Sequence, residues 1–158
     1  LSFVVMIAVV FSTIIASSFI KANAAEAEKT VTLTQGDKTS QHDTVQEAVA
    51  AVTADNTQAV ITLNKDFEGA GTVVKKDQNI VFNLNGFTWN INSLVGSSGT
   101  ETNGVQLLQG STVTIENGTL TSKTAKLLIQ NYCDLTIRNA TLSGQDNLTE
   151  IMGRLSRW

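Results

Sequence analysis

The sequence predicts an all-β protein: a parallel β-helix with coils of about 22 residues and a helix capping its N-terminal end. Three observations predict it. The first is an internal repeat. Gly104–Ala125 (GVQLLQGSTVTIENGTLTSKTA) runs directly into Lys126–Asn147 (KLLIQNYCDLTIRNATLSGQDN). At a constant offset of 22, Val105 falls on Leu127, Leu107 on Ile129, Val113 on Leu135, Ile115 on Ile137 and Leu120 on Leu142. The second is alternation within each copy, as in Val113-Thr114-Ile115-Glu116, which has the period of a strand and not of a helix. Turn residues, Asn117-Gly118 and Asn139-Ala140, recur at one place in each copy. The third is composition. Charged residues make up 16%, proline is absent, and Thr, Asn, Ser, Gly and Val are abundant, which suits an extracellular β-protein.

One such unit cannot bury its apolar residues against itself. Stacked on a like unit about 4.8 Å away, it pairs its backbone and encloses an apolar column. Val113 then lies on Leu135 and Ile115 on Ile137, pointing inward, while Thr114 lies on Thr136 and Glu116 on Arg138 outside. Asn117 over Asn139 makes an amide ladder at the bend. A sandwich of β-hairpins fits the same period, because a period does not fix a topology.

In chain order, Leu1–Ile20 is uncharged and long enough to span a bilayer. It is followed by Ala22-Asn23-Ala24, so residues 1–24 are expected to be a cleaved signal peptide, with an uncleaved anchor as the other reading. Residues 25–58 hold an N-terminal strand at Thr30–Thr34, a polar loop at Gln35–Gln41 and a capping helix at Asp43–Thr53. Thr44 as N-cap with Glu47 at N3 gives a capping box, and Val45, Ala48, Val49 and Val52 form one apolar stripe. Residues 59–148 are the coils. Ala59–Leu63 is a strand, Asn64–Asp66 a turn, and Gly69–Gly71 a loosened stretch. In Asn79–Ile91, Phe82 and Leu84 take the places of Val113 and Ile115, and Trp89 that of Leu120, with extra residues at Ser97–Asn103. Ile61 falls on Phe82. Val73–Lys76 breaks register, since one lysine would face inward. Residues 149–158 read as an irregular, truncated tail.

These phrases, DTVQEAVAAV, AVITLNKDF, NIVFNLNGFTW and STVTIENGTLTS, resemble the N-terminal half of bacterial secreted or surface proteins with a right-handed, pectate-lyase-like parallel β-helix. The resemblance covers about Val31 to Gly144. It implies the fold, and implies little about activity, because this architecture hosts lyases, hydrolases and adhesins alike.

Enzymes of that kind set clustered acids, for calcium or for glycoside hydrolysis, on the outer face of stacked strands. The outward positions here are expected to be Asn83/Thr114/Thr136 and Asn85/Glu116/Arg138, with a single carboxylate. Catalytic residues, cofactors and metals are therefore not expected. Thr114, Glu116, Thr136 and Arg138 remain as candidate outer-face ligand contacts. Asp66 and Glu68 read as a solvated turn, and His42 as a solvated loop residue. Phe87 and Trp89 share the inward parity of Leu120, so core packing is expected rather than a sugar-stacking platform. Cys133 stands alone, so no intrachain disulfide forms, and alternation turns it inward. A net charge of −3 leaves no footprint for nucleic acid. The expected function is a non-catalytic module, secreted or at the cell surface, that meets glycans or a host surface and touches membrane only through an uncleaved signal segment. The alternatives are the N-terminal fragment of a polysaccharide lyase or glycoside hydrolase and a purely structural stalk.

Overall fold

The computed structural model describes residues 29–144, so the expected signal peptide and the tail lie outside the described residues. Within them the protein is all-β apart from one short helix, and its main sheet is mixed and curled around an apolar core.

The chain begins with a hairpin. β1 (Val31–Gln35) and β2 (Lys38–His42) are antiparallel, joined by the two-residue loop Gly36-Asp37. Gly36 has φ +57, the left-handed conformation that such tight loops require and glycine adopts freely. The segment Gln35–Gln41, expected to be a loop, is mostly strand. KTSQH carries no apolar residue and lies exposed on the sheet edge, so it shows no burial period.

Helix α1 (Val45–Ala51) is shorter than Asp43–Thr53 because Thr44 and Val52 are extended caps, with Asp43 and Thr53 outside them. Thr44 is extended, its Oγ1 accepting from the Glu47 N–H at 3.1 Å. Glu47 reaches back to the Asp43 N–H at 3.1 Å, one residue further than in a standard capping box. Val45, Ala48, Val49 and Val52 are buried, and the helix packs on β1, β2, β3 and β5. Its C-terminal carbonyls are met by Gln78, whose buried amide donates to Val49 O at 3.0 Å and Val52 O at 3.4 Å.

Nine strands follow. β3 (Gln58–Leu63), β6 (Asn79–Asn83) and β9 (Thr112–Thr121) pair in parallel, and β1 adds antiparallel to β3. β4 (Phe67–Ala70) pairs in parallel with β7 (Thr88–Ser93), which pairs with the second half of β9. β5 (Thr72–Val74), β8 (Asn103–Leu107) and β10 (Leu127–Asn131) form a separate parallel sheet. β11 (Asp134–Ser143) runs in parallel along the whole of β9. Beyond β1 every named pairing is parallel, so a sandwich of hairpins is not what these strands make.

The registers test the repeat directly. β9 and β11 pair as read, with Val113 on Leu135, Thr114 on Thr136, Ile115 on Ile137 and Leu120 on Leu142. Ile61 lies on Phe82 and Trp89 on Leu120, also as read. Two registers differ by two residues. Ile80 and Phe82, not Phe82 and Leu84, lie on Val113 and Ile115. Asn103 and Val105, not Val105 and Leu107, lie on Leu127 and Ile129. A slip of two keeps every side chain on its own face, so alternation cannot see it. Corners of unequal length cause both slips. Leu84–Phe87 separates β6 from β7, whereas β9 passes through the same bend at Asn117-Gly118 without breaking. Leu108–Ser111 separates β8 from β9, whereas only Tyr132-Cys133 separates β10 from β11.

Other expectations shift for local reasons. Gly69 and Ala70 belong to β4, with a register irregularity between them, and are not a loosened stretch. Neither lysine after Val74 faces inward: β5 ends there, Lys75 and Lys76 are exposed, and Asp77 turns the chain at φ +63. Ile137 was expected to be enclosed between neighbours, yet it is 39% exposed on β11, while Ile115 on β9 is 1% exposed. Trp89 is in the core beside Phe82, with ring centroids 5.6 Å apart, and Phe87 packs against the same cluster.

Candidate functional site

The outward face over β3, β6, β9 and β11 is built from strands paired in parallel register. Thr114 lies on Thr136, and Glu116 on Arg138, so the four candidate residues share one patch. Their neighbours on β6 are Val81 and Asn83; the sequence reading named Asn83 and Asn85, displaced by the two-residue slip. Arg138 Nη2 donates to Glu116 Oε2 at 2.8 Å, with the arginine side chain 62% exposed and the glutamate 19%. A pair this open to solvent contributes about 1 kcal/mol at most, and it neutralises the only charges in the row.

At the bend the asparagines form the expected ladder. Asn139 Nδ2 donates to Asn117 Oδ1 at 3.2 Å, and Asn117 Nδ2 donates to Asn83 Oδ1 at 3.3 Å. Asn117 and Asn139 hold φ +59 and +45, a left-handed conformation that asparagine tolerates better than most residues. On the next face Thr88, Thr119 and Thr141 stand in one outward column. Asp66 Oδ1 accepts from the Thr88 N–H at 2.7 Å, and Asn92 donates to Glu68 at 3.0 Å. Asp66 lies in the turn before β4, but Glu68 is in β4 itself, paired with Asn90, and not in a turn as expected; both carboxylates are engaged in bracing this face. His42 ends β2, with its Nε2 2.9 Å from Ser40 Oγ.

A second feature was not read from the sequence. The corners Leu108–Ser111 and Tyr132-Cys133 enclose a notch, lined also by Asn131 and Asp134. The longer corner is closed by Ser111, whose N–H and Oγ–H both donate to Leu108 O. Gly110 there has φ +83. The shorter corner hangs from Leu107 O through the Tyr132 N–H at 2.9 Å. Tyr132 is 59% exposed, and its hydroxyl accepts from Gln130 Nε2 at 3.0 Å. Gln130 Oε1 in turn accepts from Gln106 and Asn103. One signal could have revealed the notch: a strict 22-residue alignment sets Gly110 against Tyr132, and tyrosine is poorly suited to a left-handed corner.

Cys133 lies beneath this notch, half-buried against the core. Burial pushes its thiol pKa up; Asp134 adds to the rise, against a partial lowering by Ser111. A raised pKa keeps the thiol protonated at neutral pH, which disfavours nucleophilic chemistry. Alkylation of the native chain by iodoacetamide at pH 7 is expected to be slower than that of the urea-unfolded chain, with the gap narrowing as pH rises past the ordinary thiol range. Equal rates in the two states at pH 7 would contradict this placement.

Among the described residues no three His, Cys, Asp or Glu side chains gather as metal ligands, and no helix is long and apolar enough to cross a membrane. No protein-family model matches the chain, and neither the curated proteins nor the solved structures contain a match.

Proposed function

We propose that the chain is an exported, non-catalytic module of a bacterial surface protein, a right-handed parallel β-helix whose outer faces contact glycans. The β-helix reading is supported by three parallel ladders, β3–β6–β9–β11, β4–β7–β9 and β5–β8–β10. Right-handedness follows the general preference of parallel crossovers. Export is supported by the apolar Leu1–Ile20 run and the Ala22-Asn23-Ala24 site after it.

The observation that carries the glycan reading is the chemistry of the outward rows. Thr114, Thr136, Thr88, Thr119 and Thr141 present hydroxyls at the strand spacing, and the one charged pair, Glu116 with Arg138, is self-neutralised. Such a face offers donors and acceptors without a field, which suits an uncharged polyhydroxyl ligand more than a polyanion or a nucleic acid. Catalysis on a polyuronate needs several oxygen ligands for calcium, and glycoside hydrolysis needs two carboxyls.

The test is binding and turnover measured together. The secreted chain is expected to bind members of a glycan panel and to leave pectin and polygalacturonate intact, with calcium supplied. Calcium-dependent cleavage that is abolished by Glu116→Gln would overturn the non-catalytic reading.

A further inference from the structure

We propose that the notch between the corners Leu108–Ser111 and Tyr132-Cys133 is a binding subsite for one uncharged sugar residue, with Tyr132 as its stacking platform. This rests on the glycan-contact reading and adds a subsite at the corner to the outward Thr114/Thr136 face.

The notch exists because one corner is two residues shorter than the corner it stacks upon. Gln109 and Gly110 have no counterpart in Tyr132-Cys133, so the longer corner stands beside the shorter one as a wall. Tyr132 then presents a large aromatic surface to solvent, 59% exposed; the other exposed large hydrophobic residue among the described residues, Ile137, is 39% exposed. A free surface tyrosine would leave its ring unfixed. Here Gln130 Nε2 donates to the hydroxyl at 3.0 Å, and Gln130 is itself held by Asn103 and Gln106. The ring is therefore pre-oriented, which reduces the entropy lost when a ligand stacks on it.

The lining supplies the rest of what a sugar needs. The C–H face of a pyranose packs on an aromatic ring, and its hydroxyls pair with amides and carboxylates. Asn131 Oδ1 is used by the Cys133 N–H at 2.9 Å, which fixes that amide at the edge of the notch. Gln109 is exposed on the facing wall, and Asp134, also exposed, closes the end. Asp134 is the only charged side chain in the lining. An anionic sugar would meet it with like charge, so the site selects an uncharged residue over a uronate.

The experiment is a protein-observed NMR titration of the full chain with methyl β-glucoside, methyl β-N-acetylglucosaminide and galacturonate. At least one neutral glycoside is expected to shift the amides of Gly110 and Tyr132 saturably, with galacturonate weaker. Tyr132→Ala is expected to weaken that binding by about tenfold while leaving the melting temperature in place, since the ring is mostly in solvent. Tyr132→Phe, which keeps the ring and loses only the tie to Gln130, is expected to retain most of it. Glycan binding that survives Tyr132→Ala would overturn the notch and leave the glycan reading standing. Equal or tighter binding of galacturonate would overturn the selection for uncharged sugars. A chain that binds no sugar here and no polymer on a glycan panel would overturn both.

Discussion

Replacing Ile115 with aspartate is expected to unfold the protein or lower its stability by several kcal/mol, a large part of the 5–15 kcal/mol that holds a typical domain together. Ile115 is 1% exposed and lies in register between Phe82 on one side and Ile137 on the other. An aspartate there loses the packing of the isoleucine, in itself about 2–5 kcal/mol for truncation to alanine. It also strands a carboxylate, or a protonated acid, in an apolar column. Thr114→Asp, one residue away, is expected to change stability by about 1 kcal/mol or less, because Thr114 points outward from the same strand. Ile137→Asp is expected to fall between them, because Ile137 is 39% exposed. Urea and thermal melts of the three variants give the order directly. Equal losses for Ile115→Asp and Thr114→Asp would contradict the alternation on which every register here depends.

The sequence was most legible where one physical signal had one solution. The stripe Val45, Ala48, Val49, Val52 announced a one-sided helix, and Thr44 with Glu47 announced where it starts. The alternation in β9 and β11 identified inward and outward residues, and the identical bends located the asparagine ladder. Legibility failed where the signal was degenerate. Period-two patterning is blind to a slip of two, so the Phe82 and Val105 registers were misplaced although their faces were right. It failed again where a strand buries nothing: β2 has no apolar residue to betray it, only the Gly36-Asp37 loop. The Thr114, Glu116, Thr136 and Arg138 patch was readable because it lies on the undistorted pair β9 and β11. The Tyr132 notch was not, because it arises from a difference between two corners, and a repeat alignment treats such a difference as noise. Gln78 shows a third kind of blindness. Its two bonds to the end of α1 are long-range, and nothing local in Lys75–Asn79 marks that glutamine as a cap.

Gly71→Ala is expected to destabilise the protein by about 3 kcal/mol or more, as much as a core truncation, although it adds one methyl group. The reason is the close stacking of backbones where β5 begins against β8. Gly71 lies under Gly104, since Thr72 pairs with Val105, and Gly104 lies under Leu128, since Val105 pairs with Ile129. A Cβ on Gly71 would overlap the carbonyl oxygen of Gly104. A Cβ on Gly104 would stand 2.6 Å from the carbonyl oxygen of Leu128 and 3.3 Å from Ile91 Cδ1. The nearest obstructing atoms are backbone, and a backbone carbonyl in a ladder cannot rotate away as a side chain can. Relief requires β5 to part from β8, which loosens their parallel ladder and uncovers Val74 and Val105, both 0% exposed. Each backbone hydrogen bond lost there contributes about 1 kcal/mol. Gly99→Ala is the control. Nothing lies within 4 Å of a Cβ built at Gly99, so only its φ of +80 opposes the substitution, a strain of about 1–2 kcal/mol. Melting temperatures should therefore rank wild type above Gly99→Ala, and Gly99→Ala well above Gly71→Ala. Gly71 is not left-handed, so if Gly71→Ala melted with or above Gly99→Ala, the close approach of Gly71 to Gly104 would be wrong. Gly104→Ala tests the same stacking one strand on, because its backbone is not left-handed either and its entire loss must come from the contact with Leu128 and Ile91.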